Sequence, residues 1–320
     1  AAGTPSGTIR GGLEMERVRL MTWCRTCVSG VHLPAFAAAE GGLFAEQGLE
    51  VEFVDCAKAT DYTLEGFAVR PKAVASGYAD FAFTAVPYVL AAQTELAGGL
   101  GARFVAVSHQ RNPISAIVRD NSRFQSPADL QGARAARWSM PWFAQEYMGA
   151  MAFMGLDPPV LVDSPGDPDA QLLGGEVDVV PTWMDMTLYR AEKGYAVHPI
   201  ALDIETYSTG LLAADRLPLE LVTRMRDAFV AGHQLQLDQP ELGIAAFRRR
   251  FPKVSEQHIR DNWALYEPYA FDGDAPGAMH AARWETTIEH TAATHGLSPF
   301  AAEQVYRPEL LAPAVEYAAA

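Results

Sequence analysis

Two cysteines three positions apart, Cys24 and Cys27, follow Trp23 directly and carry Arg25 between them. A Cys-x-x-Cys can be a redox pair or half of a metal site. Either thiol alone can be a nucleophile if a helix N-terminus or a cation such as Arg25 lowers its pKa. Zinc needs about four ligands, which Cys24, Cys27, His32 and Cys56 would supply only where their loops converge. Unpaired cysteine is more often a small buried apolar residue, so the pair is also read as pocket lining. The total of 3 cysteines is odd, which argues against a complete disulfide framework.

Other residues suggest recognition more than catalysis. Trp23, Trp138, Trp142 and Trp183 fall at or just after strand-like segments, where large aromatic faces can sandwich a flat ligand or simply pack. Trp142 is also read as lying inside its helix. Asp61, Tyr62 and Asp185 follow such segments too, and a carboxylate facing a cleft selects an amino or amidine-like donor. Aspartates there also cap helices, the preferred reading for Asp169 and an equal one for Asp185. The histidines from His109 to His295 show no ligand spacing, and Arg248-Arg249-Arg250 reads as a solvated helix face.

The elements that must position these residues begin with a βαβ unit. Residues 17–21 and 49–54 alternate polar and apolar as strands. Between them 33–40 is an apolar helix, after which Gly41-Gly42 permits a reversal. Ligands of open α/β sheets bind beyond the carboxyl ends of strands, which directs attention to residues 23–32. Next come a helix over 65–76 broken near Pro71, strand 81–83, helix 86–96 and strand 104–107. Further strands are read at 116–118, 133–138, 177–180 and 197–202, with helices at 141–154, 170–173 and 186–193 and a helical turn at 127–130. Everything beyond about residue 214 reads as helix, over 219–236, 241–250, 255–265 and 277–295. Alternating elements followed by helices alone imply two parallel-dominated sheets with a helical C-terminal wrap.

The opening, a strand, Trp23, a His-x-Pro helix start, then Glu-Gly-Gly-Leu-Phe-Ala-Glu-Gln-Gly-Leu-Glu-Val-Glu, resembles that of type II periplasmic binding proteins. It is most similar to the branch of alkanesulfonate-, taurine- and nitrate-binding proteins and thiamine-pyrimidine-precursor-synthesis proteins. Ser126-Pro127-Ala128-Asp129-Leu130-Gln131-Gly132 resembles the start of the second lobe in that superfamily. The resemblance covers roughly residues 17–251. It implies a two-lobed α/β fold with a ligand cleft between the lobes and a helical C-terminal region. It also implies that Thr84, Ala85 and Ser139 stand where that superfamily presents hydroxyls and backbone N–H groups at helix N-termini to an anion, with Arg137 or Arg70 assisting, plain capping being the alternative. The expected division is 15–110 as the first part of lobe one, 111–204 as lobe two, and 205–320 as its completion, with hinges near 109–115 and 203–209. Two enzyme families on the fold are also similar. Hydroxybiphenyl-sulfinate desulfinases use a loop cysteine, matched by Cys24 or Cys27, and an arginine, matched by Arg70; Thr60-Asp61-Tyr62 stands where their histidine should be. Precursor synthases carry a cysteine motif in the second lobe, where this chain has no cysteine.

Composition narrows the function classes. Of 320 residues 49% are hydrophobic and 20% charged, enough for two cores and against disorder. The formal charge of -14 opposes nucleic acid and anionic membrane as partners, and no apolar run of 18 residues would span a bilayer. The leading expectation is a solute-binding protein that closes on a small organic molecule, aromatic, heterocyclic or sulfonate-like, and delivers it to the membrane permease of an ABC importer. The rivals are an enzyme using Cys24 or Cys27 with Arg70, and a ligand-sensing partner of a regulator. No cofactor or metal is expected. Residues 1–12 read as the head of an exported chain, hence periplasmic or extracellular; a native start at Met15 would make the protein cytoplasmic.

Overall fold

The computed structural model describes residues 9–10, 13–22, 29–56, 63–96, 99–271, 275–298 and 300–311. A short hairpin, β1 (Ile9–Arg10) and β2 (Leu13–Glu14), precedes β3 (Glu16–Met21), and β4 (Leu49–Val54) lies parallel beside β3 with Val18 opposite Val51. Between β3 and β4 run α1 (Leu33–Glu40), with Pro34 in its first turn, and the short α2 (Leu43–Glu46). Proline is tolerated there because the first-turn N–H groups have no intrahelical acceptor. Gly42 takes φ of 78° between the two helices, so the expected reversal is present.

The helix expected over 65–76 is two pieces, α3 (Leu64–Phe67) and α4 (Val69–Ala75). The break comes three residues before Pro71, because the proline ring has no N–H to give the Phe67 carbonyl and crowds it instead. Then come β5 (Phe81–Ala85), α5 (Val86–Glu95) and β6 (Ala102–Val107). The middle of the chain supplies β7 (Ile114–Arg119), β8 (Arg134–Arg137), α6 (Pro141–Phe153), β9 (Val160–Asp163), α7 (Pro168–Gly174), β10 (Val180–Trp183), α8 (Met186–Glu192) and β11 (Val197–Ala201). After β12 (Thr209–Ala214) the chain is helical: α9 (Leu219–Asp238), α10 (Pro240–Arg250), α11 (Glu256–Phe271) and α12 (Ala281–His295).

The first sheet has the order β4-β3-β5-β12-β6, and the second β10-β7-β11, with β8-β9 a parallel pair joined to it by an Ala135–Val179 bridge. Parallel dominance therefore fails. Strand β12 is antiparallel to both β5 and β6, and β7 is antiparallel to both its neighbours. Alternation of strand and helix does not fix the direction from which a strand enters after a long crossover. The strand expected from 177 and ending at Thr182-Trp183 does end at Trp183 but begins at Val180, the preceding residues bonding to β8. Strands β9 and β12 were not expected. In β9 burial does not alternate, and β12 is buried at all six positions, so neither carries a period-two signal.

Two segments, 108–113 and 202–208, run between the sheets and bond to each other. Asn112 N–H donates to the Ile204 carbonyl at 3.2 Å, and Arg111 pairs with Asp203 at 2.8 Å. Beneath the first sheet α1 crosses α9 at Gly232, where a side chain would run into the Pro34 carbonyl and the Ala38 methyl. Substituting Gly232→Ala should lower stability by about 1–3 kcal/mol through overpacking. The urea midpoint reports this, and an unchanged midpoint would show that the two helices can separate without loss.

Candidate functional site

A cavity of about 110 Å³ opens between elements of the two sheets. The first sheet's layer contributes Ser29, Phe67 from α3, Arg70 from α4 and Tyr88 from α5. The opposite wall holds Met140, Trp142 and Phe143 at the start of α6, Trp183 at the end of β10, and Asp185 with Met186 at the start of α8. Pro141 opens α6, and side chains in a first helical turn lean back toward the N-terminus. This sets Trp142 and Phe143 against the facing layer.

The aromatic rings are packed on one another. Phe67 stacks on Tyr88 with centroids 5.0 Å apart, and both meet Trp142 edge-on, at 6.2 and 5.6 Å. Trp142 stacks on Phe143 at 3.9 Å, and Trp183 sits edge-on to both. Trp183 is further fixed by its indole N–H, which donates to the buried Glu146 carboxylate at 3.2 Å.

Arg70 supplies the cavity's cation. It is 4% exposed, and its guanidinium lies 4.8 Å above the Phe67 ring. Its field reaches several neighbours. Burial pushes the Cys56 thiol up in pKa, with Arg70 opposing by charge and hydrogen bond. Burial likewise raises the Tyr88 phenol, again against Arg70. Asp185 is the cavity's carboxylate, and burial raises it to about 6.

A second, smaller chamber of about 20 Å³ adjoins the first and shares Ser29, Trp183 and Asp185 with it. Its remaining wall includes His109, Asn262, Tyr266 and Tyr269. His109 Nδ1 is hydrogen-bonded to Thr209 Oγ1, and Tyr266 donates its hydroxyl proton to the Ser108 carbonyl at 2.9 Å.

The structure thus brings together Arg70, Trp183, Asp185 and, through the helix reading, Trp142. Trp138 stands behind them, stacked on Phe143 at 5.7 Å with its indole N–H on the Pro181 carbonyl. His32 is 1% exposed and packs on Phe36 and Phe83, beneath the cavity and not in its wall. Thr84 and Ala85 are fully buried where β5 passes into α5, and Ser139 is exposed in the turn before α6; none of the three lines either chamber. Arg137 pairs with Asp163 on the surface, and of the two arginines only Arg70 lines the cavity. Trp23, Cys24, Cys27, Asp61 and Tyr62 lie outside the described residues.

Three further expectations are corrected. The cap of α7 is Asp167, while Asp169 forms a buried pair with Arg190 at 2.6 Å. Asp185 occupies the cap position of α8 with helical backbone angles and no side-chain cap of the usual kind; the N–H groups of Met186 and of Asp185 itself reach its carboxyl, and Oδ1 is left without a partner among the described residues. The arginine run is not simply solvated: Arg248 and Arg249 pair with Glu256 and Glu40, and Arg250 lies over Phe53 and Phe36. Phe67, Tyr88, Phe143, His109 and Tyr266 were not expected in the walls. Trp142-Phe143 at a proline-opened helix start was a readable signal, whereas Tyr266 lies in a late helix that only tertiary packing carries to the cleft. No group of three or more His, Cys, Asp or Glu among the described residues could hold a metal ion.

A sequence model of the family described as NMT1/THI5 like matches residues 29–242. The chain belongs to that family. No curated protein matches it in sequence. Among solved structures it is similar to the periplasmic aliphatic sulphonate binding protein SsuA from Escherichia coli, at 16% identity and TM-score 0.66, over 95% of this chain and 97% of that one. It is also similar to the alkanesulfonate-binding protein SsuA from Xanthomonas axonopodis pv. citri bound to MOPS, at 15% identity and TM-score 0.58, over 93% and 98%. A third similar structure is a DSZB mutant in complex with biphenyl-2-sulfinic acid, at 18% identity and TM-score 0.57, over 91% and 97%. At these identities the likeness is one of fold: two α/β lobes with a cleft between them, as in type II periplasmic binding proteins, and a helical C-terminal region.

The buried titratable groups near the cleft set a pH dependence. Burial first, then the positive charges of Arg250 and Arg70, holds His32 near 3, against an ordinary 6.5. Burial holds His109 at about 3 and His233 at about 4. Unfolding therefore takes up three histidine protons as pH falls below 6.5. Asp185, raised from 3.8 to about 6, instead releases one between those values. Three less one leaves two protons bound on unfolding, so stability should fall by roughly 3 kcal/mol per pH unit between about pH 6 and 4 from these groups. Denaturant titrations across that range measure it; a flat profile would mean the imidazoles are solvated.

Proposed function

We propose that the protein is a solute-binding receptor of an ABC-type importer, closing on a small organic anion with an aromatic or heterocyclic body. The observation that carries this reading is a single buried guanidinium, Arg70, in a cavity otherwise walled largely by aromatic rings from both sides of the cleft. Aromatic walls bury the flat body of a ligand, and the planar guanidinium accepts a sulfonate or carboxylate bidentately. The sulfonate-binding names of structurally similar proteins agree with such a ligand.

In this reading residues 15–110 and 205–320 form one lobe and 111–204 the other. The paired crossings at 108–113 and 202–208 act as the hinge, the usual place for closure to be absorbed. The partners are the ligand and the importer's membrane permease, and the compartment is periplasmic or extracellular. No helix among the described residues is long and apolar enough to cross a membrane. A second reading, a cysteine-dependent enzyme acting on an aryl sulfinate, draws on one observation. Arg70, matched to the desulfinase arginine in sequence, stands in the cavity, and a fold neighbour is complexed with biphenyl-2-sulfinic acid.

Calorimetry with benzenesulfonate tests the first reading. Arg70→Met should weaken binding about tenfold or more, and Trp183→Ala by more than ~1 kcal/mol. Unchanged dissociation constants in both variants would remove the cavity from the binding site. The cysteines separate the two readings. Cys24→Ser and Cys27→Ser should bind as the parent does and turn over no aryl sulfinate. Rapid, ligand-protected alkylation of one cysteine, with sulfinate turnover lost in its variant, would establish the enzyme instead.

A further inference from the structure

The smaller chamber has a shape and chemistry that the aromatic cavity does not explain. At about 20 Å³ it has room for one water-sized group and no ring. Asp185 lies in the wall common to both chambers, and its Oδ1 is buried with no hydrogen-bond partner among the described residues. A buried carboxylate oxygen without a donor is costly.

The backbone N–H groups of Met186 and of Asp185 itself, with the charge of His258, oppose the effect of burial on the carboxyl, yet Oδ1 keeps no hydrogen-bond partner among the described residues. Tyr266 gives its proton to the Ser108 carbonyl, and the capping position of Asp185 brings no side-chain cap of the usual kind. His109, across the chamber, is held to Thr209 and kept neutral by burial, so it would not repel an incoming cation.

We propose that this chamber is a subsite for an amino group on the same ligand whose acid group meets Arg70, with Asp185 the specificity-determining acceptor. The inference rests on the reading of the aromatic cavity as an organic-anion site. It narrows the ligand to a dipolar molecule, with its anionic and amino ends separated by a flat or apolar body. The two charged side chains select the two ends, and the rings between them select the body. An amine is favoured over a hydroxyl because an ammonium offers several donors and a charge to a carboxylate that has lost its water.

The test is calorimetry at about pH 7.5 with benzenesulfonate and para-(aminomethyl)benzenesulfonate, on the parent protein and on Asp185→Asn. The aminomethyl compound should bind the parent about tenfold more tightly or better. In Asp185→Asn that preference, read as the ratio of the two dissociation constants within the same variant, should vanish. A parent with no preference, or a preference that survives in Asp185→Asn, overturns the subsite and leaves the anion reading standing. Failure of both compounds to bind overturns the two together.

Should Asp185→Asn not fold, the parent alone decides. Its preference should shrink as pH falls from about 7.5 to about 5, as Asp185 takes up a proton. The other titratable groups around it are His109, His258, Tyr266 and Tyr269. His109 stays neutral over that range and the phenols stay protonated, while His258 is engaged with Glu192. A pH-independent preference would exclude Asp185 as the acceptor.

Discussion

The antiparallel insertion of β12 between β5 and β6 is the constraint from which the cleft follows. All six of its residues are buried, and Gly210 has no room for a side chain beside the Ala106 carbonyl and the Phe104 ring. By pairing with strands on both sides it ties the last third of the chain to a sheet begun two hundred residues earlier. Its first residue, Thr209, takes the N–H of both Ser108 and His109 on one carbonyl. The outgoing and returning crossings are thereby held side by side, and the chain passes to and from the second sheet at that point. His109, on the outgoing crossing, is carried into the wall of the smaller chamber.

Charge in the cleft runs against the charge of the molecule. A formal -14 would repel an anion at long range, yet salt screens such fields within about 8 Å at physiological ionic strength. What an anion in the proposed site would feel is the guanidinium in the wall. Packing Arg70 against the Phe67 face and among aromatic rings lowers the local dielectric, which strengthens attraction at contact. The same exclusion of water raises Asp185 toward neutrality. Desolvation therefore strengthens one end of the site and makes the other responsive to a partner.

Much of the frame was legible because local chemistry and final structure agree. The alternation in residues 49–54 became β4 at those bounds, and the helical turn read at 127–130 is present, its start fixed by the Ser126 N–H and hydroxyl, which both donate to the Asp129 carboxylate. Strand direction was not legible, nor was β12, whose uniform burial erases the alternation that marks a strand. In the site, Trp183 and Asp185 were readable as residues at a strand end. Tyr88 was hidden in a helix buried on every side, and Arg70 was found only as a family match, its place beside Phe67 being set by the break that Pro71 imposes. Thr84 and Ser139 line neither chamber, and a hydroxyl near a helix start looks the same in sequence whether it faces a cleft, the core or solvent.

Receptor and enzyme differ on this scaffold by what a thiol needs, and the cavity shows how demanding that is. A nucleophilic cysteine requires its thiolate, which a cation or a base must stabilise. Arg70 already acts on one thiol, Cys56, and burial still outweighs it, leaving that pKa raised. A guanidinium among aromatic rings is thus not enough by itself to ionise a half-buried cysteine. The histidines near the cleft add little: His32 and His109 are held near 3, too weakly basic to take a thiol proton at neutral pH, and Nδ1 of His109 is occupied by Thr209. The same features suit a receptor. In the proposed receptor the neutral imidazoles of His32 and His109 leave Asp185 as the cleft group whose charge a ligand can change.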